Sequence, residues 1–282
     1  MSAFVYKGGE WDTSCRTYIM GILNITPDSF SDGGMYTDPA AALARAVAME
    51  QHGADCIDVG AQSTRPGHVP VTPEEEWARL CPVLEMLCGH ISVPVSVDTY
   101  VPEIARRSVE YGASIINDVS GDMESGMLDV AASTGAGIIS MYAGGGADDK
   151  GDKYNNFARM LDYFRRIMTA AKCMELDMHR IALDPGIGFG KSREDDLGTL
   201  VQLEKIAGEW CENAILVGCS RKRVIDSCLE VSTRPEERMP GTIALHTVAQ
   251  FFGARILRVH DVAETVQAAR VTDALIAAKN NV

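Results

Sequence analysis

Short runs of apolar, often β-branched residues recur along the chain. Between them lie longer stretches in which apolar residues return every third or fourth position. The first pattern reads as strands buried on both faces, the second as helices buried on one. Strands are expected at Tyr18–Asn24, Cys56–Gly60, Val93–Asp98, Ser114–Asp118, Gly137–Tyr142, Arg180–Asp184, Ile215–Gly218 and Arg255–Val259. Helices are expected at Pro39–Gln51, Pro73–Leu87, Pro102–Tyr111, Glu124–Thr134, Asn155–Leu176, Arg193–Ala207, Arg221–Cys228 continuing through Thr242–Phe252, and Val262–Lys279. The second helix carries clear start signals: Thr72 as N-cap, Pro73 at the first helical position, then three glutamates near the positive end of the dipole. Gly53, Gly112, Gly135 and Gly253 fall where helices should stop.

Strands that alternate with helices form a parallel sheet through right-handed crossovers. With eight such units in 282 residues, the expected closure is an α/β fold of the eight-stranded parallel (β/α)8 TIM-barrel type, in a single domain. An open doubly wound sheet is the alternative, but no dinucleotide fingerprint follows the first strand. Residues 1–17 read as an N-terminal lead and 18–282 as the barrel.

Composition narrows the possible partners. The chain is 46% hydrophobic and 23% charged, as an ordinary globular protein is. Its formal net charge of −13 argues against nucleic acid, although a local basic cluster can still receive a small anion. No apolar run reaches the ~18 residues of a membrane span. The N-terminus has no basic region followed by an apolar core, so the expected compartment is the cytoplasm. The eight cysteines form no CxxC pair and are expected to be reduced, semi-buried hydrophobes rather than metal ligands or disulfides.

The candidate chemistry lies at the strand ends. Asn24, Asp98, Asn117, Asp118 and Asp184 close their strands and Asp58 lies within the second. Ser220 and Lys222 follow the seventh, while Arg258 and His260 close the eighth. Capping of the next helix would account for one or two of these residues. A polar residue at nearly every strand end instead suggests the reactive rim of a barrel. Asp184-Pro-Gly-Ile-Gly-Phe-Gly-Lys191 has neither Walker nor GxGxxG spacing; its glycines, Gly188 and Gly190 among them, would let backbone approach a flat ligand edge. Long polar loops follow the first two strands, at Asn24–Gly34 and Gly60–Gly67.

These residues, in this order, resemble the dihydropteroate synthase family. The resemblance rests on MGILNITPDSFSDGG (Met20–Gly34), STRPG (Ser63–Gly67), VDT (Val97–Thr99), INDVSG (Ile116–Gly121), DPGIGFGK (Asp184–Lys191), SRK (Ser220–Lys222) and RVHDV (Arg258–Val262). It implies a pterin-binding barrel that joins (7,8-dihydropterin-6-yl)methyl diphosphate to p-aminobenzoate. The products would be 7,8-dihydropteroate and diphosphate, in folate biosynthesis. By the same resemblance, Asp98, Asn117, Asp184, Lys222 and Arg258 build the pterin pocket, with Met141 against the ring and Gly188, Phe189 and Gly190 nearby. Asn24, Arg65, Arg258 and His260 hold diphosphate, with Mg²⁺ as cofactor at Asn24. Phe30, Thr64 and Pro66 help form the p-aminobenzoate site. Asp98, Lys222, Arg258 and His260 are the expected catalytic group, and a homodimer is expected.

The sequence departs from the family pattern at three places. Gly60-Ala-Gln62 stands where Gly-Gly-Glu is usual, Met141-Tyr142 where Met-His is common, and Arg223 where Ser is common. Three other readings share such a barrel. A pterin-dependent methyltransferase working with a corrinoid partner would not need Arg65, Arg258 and His260 for a diphosphate. A non-catalytic pterin-binding paralogue would be expected to have lost Asn24, Arg65 or His260. A phosphate-binding aldolase would want a lysine within a strand, and none is expected there.

Overall fold

The computed structural model describes residues 2–26, 38–62, 71–123, 125–144 and 156–280. Eight parallel strands close into a barrel. They are β3 (Tyr18–Asn24), β4 (Cys56–Gly60), β5 (Val95–Asp98), β6 (Ile115–Asp118), β7 (Gly137–Met141), β8 (Ile181–Asp184), β9 (Ala214–Val217) and β10 (Ile256–Val259). β10 pairs with β3, which completes the closed cylinder. All eight expected strands are present, with bounds shifted by no more than two residues. Helices α1 (Pro39–Gln51), α2 (Pro73–His90), α3 (Pro102–Glu110), α4 (Met127–Thr134), α5 (Asn156–Cys173), α6 (Arg193–Val201), α7 (Leu203–Glu209), α8 (Arg223–Asp226), α9 (Met239–Phe251) and α10 (Val262–Asn280) connect and surround them. Thr72 caps α2 through a reciprocal bond pair with Glu75, as its sequence signals. The four stop glycines all adopt positive φ.

Three expectations need correction. The single helix expected at Arg193–Ala207 is two, broken at Gln202. The long helix expected from Arg221 ends at Asp226, whose carboxylate accepts from the Thr233 hydroxyl at 2.9 Å and so turns the chain back; a separate 3₁₀ turn at Pro235–Arg238, with Pro235 at its first position, then leads into α9. Most of the cysteines are exposed rather than semi-buried. Only Cys56 and Cys219 are buried, and all eight are free.

The N-terminal lead has its own structure. β1 (Ala3–Tyr6) and β2 (Gly9–Asp12) form an antiparallel hairpin around Lys7 and Gly8, the latter at φ +92°. The hairpin closes the floor of the barrel. Phe4 and Trp11 join Tyr18, Met20, Ile115 and Ile139 in a core cluster inside the strands, and Trp11 stacks on Tyr18 with ring centroids 4.8 Å apart. Gly137 allows this approach: a Cβ there would lie 2.8 Å from the Phe4 ring and 2.9 Å from the Val5 carbonyl. A second cluster fills the space between strands and helices, with Leu23, Ile57, Val97 and Ile116 facing outward. Side chains alternate across a strand, so Cys56, Asp58 and Gly60 face the same way in β4, as do Ser96 and Asp98 in β5.

Candidate active site

The inward positions change character two residues above the apolar floor. Arg258, on β10, crosses the barrel to two strands at once. Its Nε donates to Asp58 Oδ2 at 2.6 Å and its Nη2 donates to Asp98 Oδ2 at 2.5 Å. Asn117 Nδ2 donates to the same Asp58 oxygen at 3.0 Å. Register explains the convergence: Asp58 lies opposite Ser96, Gly60 opposite Asp98, and Asp98 opposite Asn117. One guanidinium between two carboxylates neutralises only one of them. Burial therefore pushes the Asp98 carboxyl up to about 7, Arg258 opposing and Asp58 and Glu76 reinforcing the shift. The flanking carboxylates hold the Arg258 guanidinium more firmly protonated than usual, against the effect of burial.

The β8 end supplies the opposite wall. Asp184 is buried, and its Oδ1 accepts from Gly186 N at 2.7 Å. Burial raises its pKa, with Lys222 the largest opposing influence. Lys222 arrives from the segment after β9, donates to the Ile187 carbonyl and sits 4.4 Å from the Phe189 ring centroid. Burial lowers its pKa, partly offset by Asp184. Met141 is buried opposite Asp184 in the β7–β8 register. His260 Nδ1 lies 3.0 Å from Ser220 Oγ, and its backbone N donates to the same oxygen at 3.2 Å. Asn24 ends β3 beside Gly60.

Asn24, Asp98, Asn117, Met141, Asp184, Gly188, Phe189, Gly190, Lys222, Arg258 and His260 thus all lie at the C-terminal ends of the strands or immediately beyond them. Phe30, Thr64, Arg65 and Pro66 lie outside the described residues. Asp118 belongs to a turn instead: its carboxylate accepts from Ser120 N at 3.0 Å, as the capping alternative allows.

The glycine segment after β8 is shaped by its own neighbours. A Cβ on Gly186 or Gly190 would overlap the backbone of Tyr142 or Gly144, and one on Gly188 would meet the Lys222 side chain at 3.0 Å. Gly188 N donates to both oxygens of Asp196 at 3.0 Å. Lys191 turns back to donate to the Pro185, Gly186 and Phe189 carbonyls, 3.8 Å from Asp196. Its ammonium is buried, which lowers its pKa to about 8. Lys191 and Asp196 therefore act as braces for this loop.

Sequence reasoning noted Asp58 but gave it no place in the site. Its inward parity with Cys56 was the available signal. A second missed group stands behind Asp98. Gln62 Nε2 donates to Glu76 Oε2 at 2.6 Å, and Tyr100 donates its hydroxyl to Gln62 Oε1 at 2.8 Å. Glu76, on α2, is fully buried. Tyr142 faces away from the pocket, and its hydroxyl donates to Asn156 at 2.9 Å.

Comparison with known proteins agrees with this geometry. Residues 20–260 match the family model described as "Pterin binding enzyme". The dihydropteroate synthase of Escherichia coli strain K12 is 42% identical over 280 residues, covering 98% of this chain and 97% of that protein. A Xanthomonas albilineans dihydropteroate synthase structure with 4-aminobenzoic acid superposes with a TM-score of 0.87 at 39% identity, covering 95% of this chain and 96% of that one. A Yersinia pestis dihydropteroate synthase structure in a sulfonamide drug complex gives a TM-score of 0.86 at 36% identity, covering 97% and 98%. Motif order, barrel topology and relatives that span nearly the whole chain converge: the chain belongs to the dihydropteroate synthase family of pterin-binding transferases.

Proposed function

We propose that the barrel mouth joins (7,8-dihydropterin-6-yl)methyl diphosphate to p-aminobenzoate, giving 7,8-dihydropteroate and diphosphate, with the residue roles that follow. The observation that carries this reading is one rim holding Asp98, Asn117, Asp184 and Lys222 around the Arg258 cation. A pterin edge presents an amino group beside a ring N–H, and a carbonyl beyond. Asp184 accepts from the two donors, Asn117 adds an amide beside them, and Lys222 donates to the carbonyl. Met141 packs against the ring.

In the reaction the C–O bond to diphosphate breaks and its electron pair leaves with the oxygen. Positive charge develops on the pterin methylene, and an ionised Asp98 stabilises it. Arg258 and His260 stabilise the departing diphosphate, with Arg65 assigned by resemblance. The neutral arylamine then forms the C–N bond and releases one proton, so no strong base is required. Phe30, Thr64 and Pro66 are assigned to the p-aminobenzoate pocket by resemblance alone.

A diphosphate leaving group implies Mg²⁺. The Asn24 side chain offers one hard oxygen at the end of β3, and Mg²⁺ commonly takes one or two protein oxygens, with phosphate and water completing its shell. That donor fits, and Asn24 would hold the ion, which when bound neutralises charge on the diphosphate.

The protein is further proposed to be a cytoplasmic homodimer. Among the described residues no helix is long and apolar enough to cross a membrane. Val248 and Phe251 on α9, and Val271 and Leu275 on α10, are exposed same-face pairs on two packed helices, apolar surface that a second copy would cover. Sedimentation velocity tests this assembly.

The test of activity is incubation with both substrates and Mg²⁺, with chromatographic detection of dihydropteroate. Product should form, and excess chelator should suppress it. Full activity in chelator overturns the metal role. Tight pterin binding without product would favour the non-catalytic reading.

A further inference from the structure

Lys222 enters the pocket from a segment without regular structure, and α9 grips that segment from outside the site. Arg238, Thr242 and His246 are spaced four residues apart at the start of α9 and along it, which aligns them on one face. Each bonds to the backbone between β9 and Lys222. Cys219 N donates to His246 Nε2 at 3.0 Å, Arg221 N donates to Thr242 Oγ1 at 3.1 Å, and Arg238 Nη1 donates to the Arg221 carbonyl at 3.1 Å. Held between them, Arg221 takes the left-handed conformation at φ +59°, which a non-glycine residue rarely adopts.

That kink directs successive side chains to different places. Arg221 pairs with Asp261 through two bonds of 2.5 and 3.0 Å, which ties this segment to the one after β10. Its neighbours Ser220 and Lys222 reach His260 and the Ile187 carbonyl. Gly241 lets α9 come this close, since a Cβ there would overlap Ile225 of α8.

His246 is buried, and burial together with the Lys222 charge lowers its pKa to about 3. The imidazole is therefore neutral, with a bare Nε2 to accept the Cys219 N–H and its proton on Nδ1. That Nδ1 is buried with no hydrogen-bond partner among the described residues. Packing alone would favour an apolar side chain here, whereas an acceptor for Cys219 requires a polar one.

We propose that Arg238, Thr242 and His246 are positioning residues: they hold Cys219–Lys222 in the kinked conformation that presents Lys222 to the pterin and Ser220 to His260. This rests on the reading of Lys222 as a pterin ligand, and Lys222→Met tests that reading separately. The variants are His246→Ala, His246→Gln, Thr242→Val and Thr242→Ser. Glutamine can return an acceptor to the Nε2 position, and serine can return the hydroxyl. Each protein is measured for melting temperature, pterin affinity by calorimetry, and KM and kcat per folded molecule. Thr242→Val is nearly isosteric and keeps the test open where His246→Ala does not fold.

The expected result is a pterin Kd and KM raised about tenfold in His246→Ala and Thr242→Val, on the scale of one mispositioned hydrogen bond. Glutamine and serine should largely restore both constants. In a Lys222→Met background, His246→Ala should add nothing to the loss of affinity. Lowered melting temperatures with parental Kd and KM would show that these side chains only support the fold, and would overturn the proposal. Failure of His246→Gln to restore affinity at a parental melting temperature would also overturn it. Parental affinity in Lys222→Met would overturn the Lys222 assignment itself, and the proposal with it. Loss in Lys222→Met alone would overturn only the proposal.

Discussion

The floor and the rim of this barrel are built from the same strands, yet they follow opposite rules. On β10, Ile256 points into the floor cluster, while Arg258, two residues on, carries the charge at the centre of the pocket. On β4, Cys56 lies among apolar side chains and Asp58 is the fully buried acceptor of both Arg258 and Asn117. A shift of two residues preserves the direction of the side chain and reverses its chemistry. The hairpin seals the floor with aromatic surface, as suits a surface whose task is to stay folded. The rim instead confines two acids against one cation, an arrangement that stabilises folding little but is set up to receive another charge.

The largest effect expected from breaking this contrast comes from Arg258→Met. It leaves Asp58 and Asp98 buried without their cation, so stability should fall by about 3–5 kcal/mol. Activity should fall by a factor on the order of 10³, because the diphosphate loses a stabilising charge. The stability deficit should shrink toward acidic pH as the stranded Asp98 carboxyl takes up its proton. Denaturant melts at pH 5 and pH 8 would check this, and an equal deficit at both would show that the acids are not the cause.

Phe4→Ala should be the counterpart at the floor. Phe4 is fully buried against Trp11, with ring centroids 5.6 Å apart. Truncation should cost about 3–5 kcal/mol in transfer and cavity terms. Its kcat and KM per folded molecule should remain parental. A raised pterin KM in this variant would mean that the floor also sets the geometry of the rim.

What the sequence made legible follows the same division. The strands were plain because buried parallel strands read as continuous apolar runs, and their polar ends stood out against that background. The hairpin was hidden: its strands are four residues each, and only Lys7-Gly8-Gly9 hints at the turn. Pairing across the barrel was hidden too. Asp58 and Arg258 are 200 residues apart, and no local pattern says that they meet. The grip of α9 on Cys219 and Arg221 was invisible for a related reason, since His246 and Thr242 sit in what reads as an ordinary apolar helix. The role of Gln62 emerged only when Glu76 and Tyr100 were seen on either side of it.

A pH titration sharpens the electrostatic side of the comparison. With Asp98 near 7, above its ordinary value of 3.8, the folded protein binds a proton that the unfolded chain releases. The associated stability is therefore fully present below about pH 4 and lost as pH rises through about 7. The carboxylate needed at the pterin methylene forms over the same upper range. The free enzyme's kcat/KM should accordingly rise through a midpoint near 7, and Asp98→Asn should abolish that limb and reduce kcat. A midpoint unchanged in Asp98→Asn would assign the titration to another group.

The smallest effects should come from the network behind the rim, which centres on Gln62. Its amide donates to Glu76 Oε2 and accepts from Tyr100, so a single side chain links one oxygen of a buried carboxylate to a phenol. Burial raises the Glu76 pKa, and hydrogen bonds from Thr99 and then Gln62 work against that rise. Gln62→Glu would remove the donor and set two carboxyls at the present 2.6 Å separation, where one must keep a proton. That retained proton lifts a folded-state pKa above its unfolded value. The variant should therefore match the parent in acid and lose about 1–3 kcal/mol as pH rises toward 8. Tyr100→Phe removes only the phenol's bond and should cost about 0.5–1.5 kcal/mol, independent of pH in this range. Thermal melts of both variants from pH 5 to pH 8 separate the two behaviours. A Gln62→Glu deficit that is flat with pH would show that the amide serves shape rather than charge. The polar contrast between rim and floor would then end at Asp98 instead of reaching back to α2.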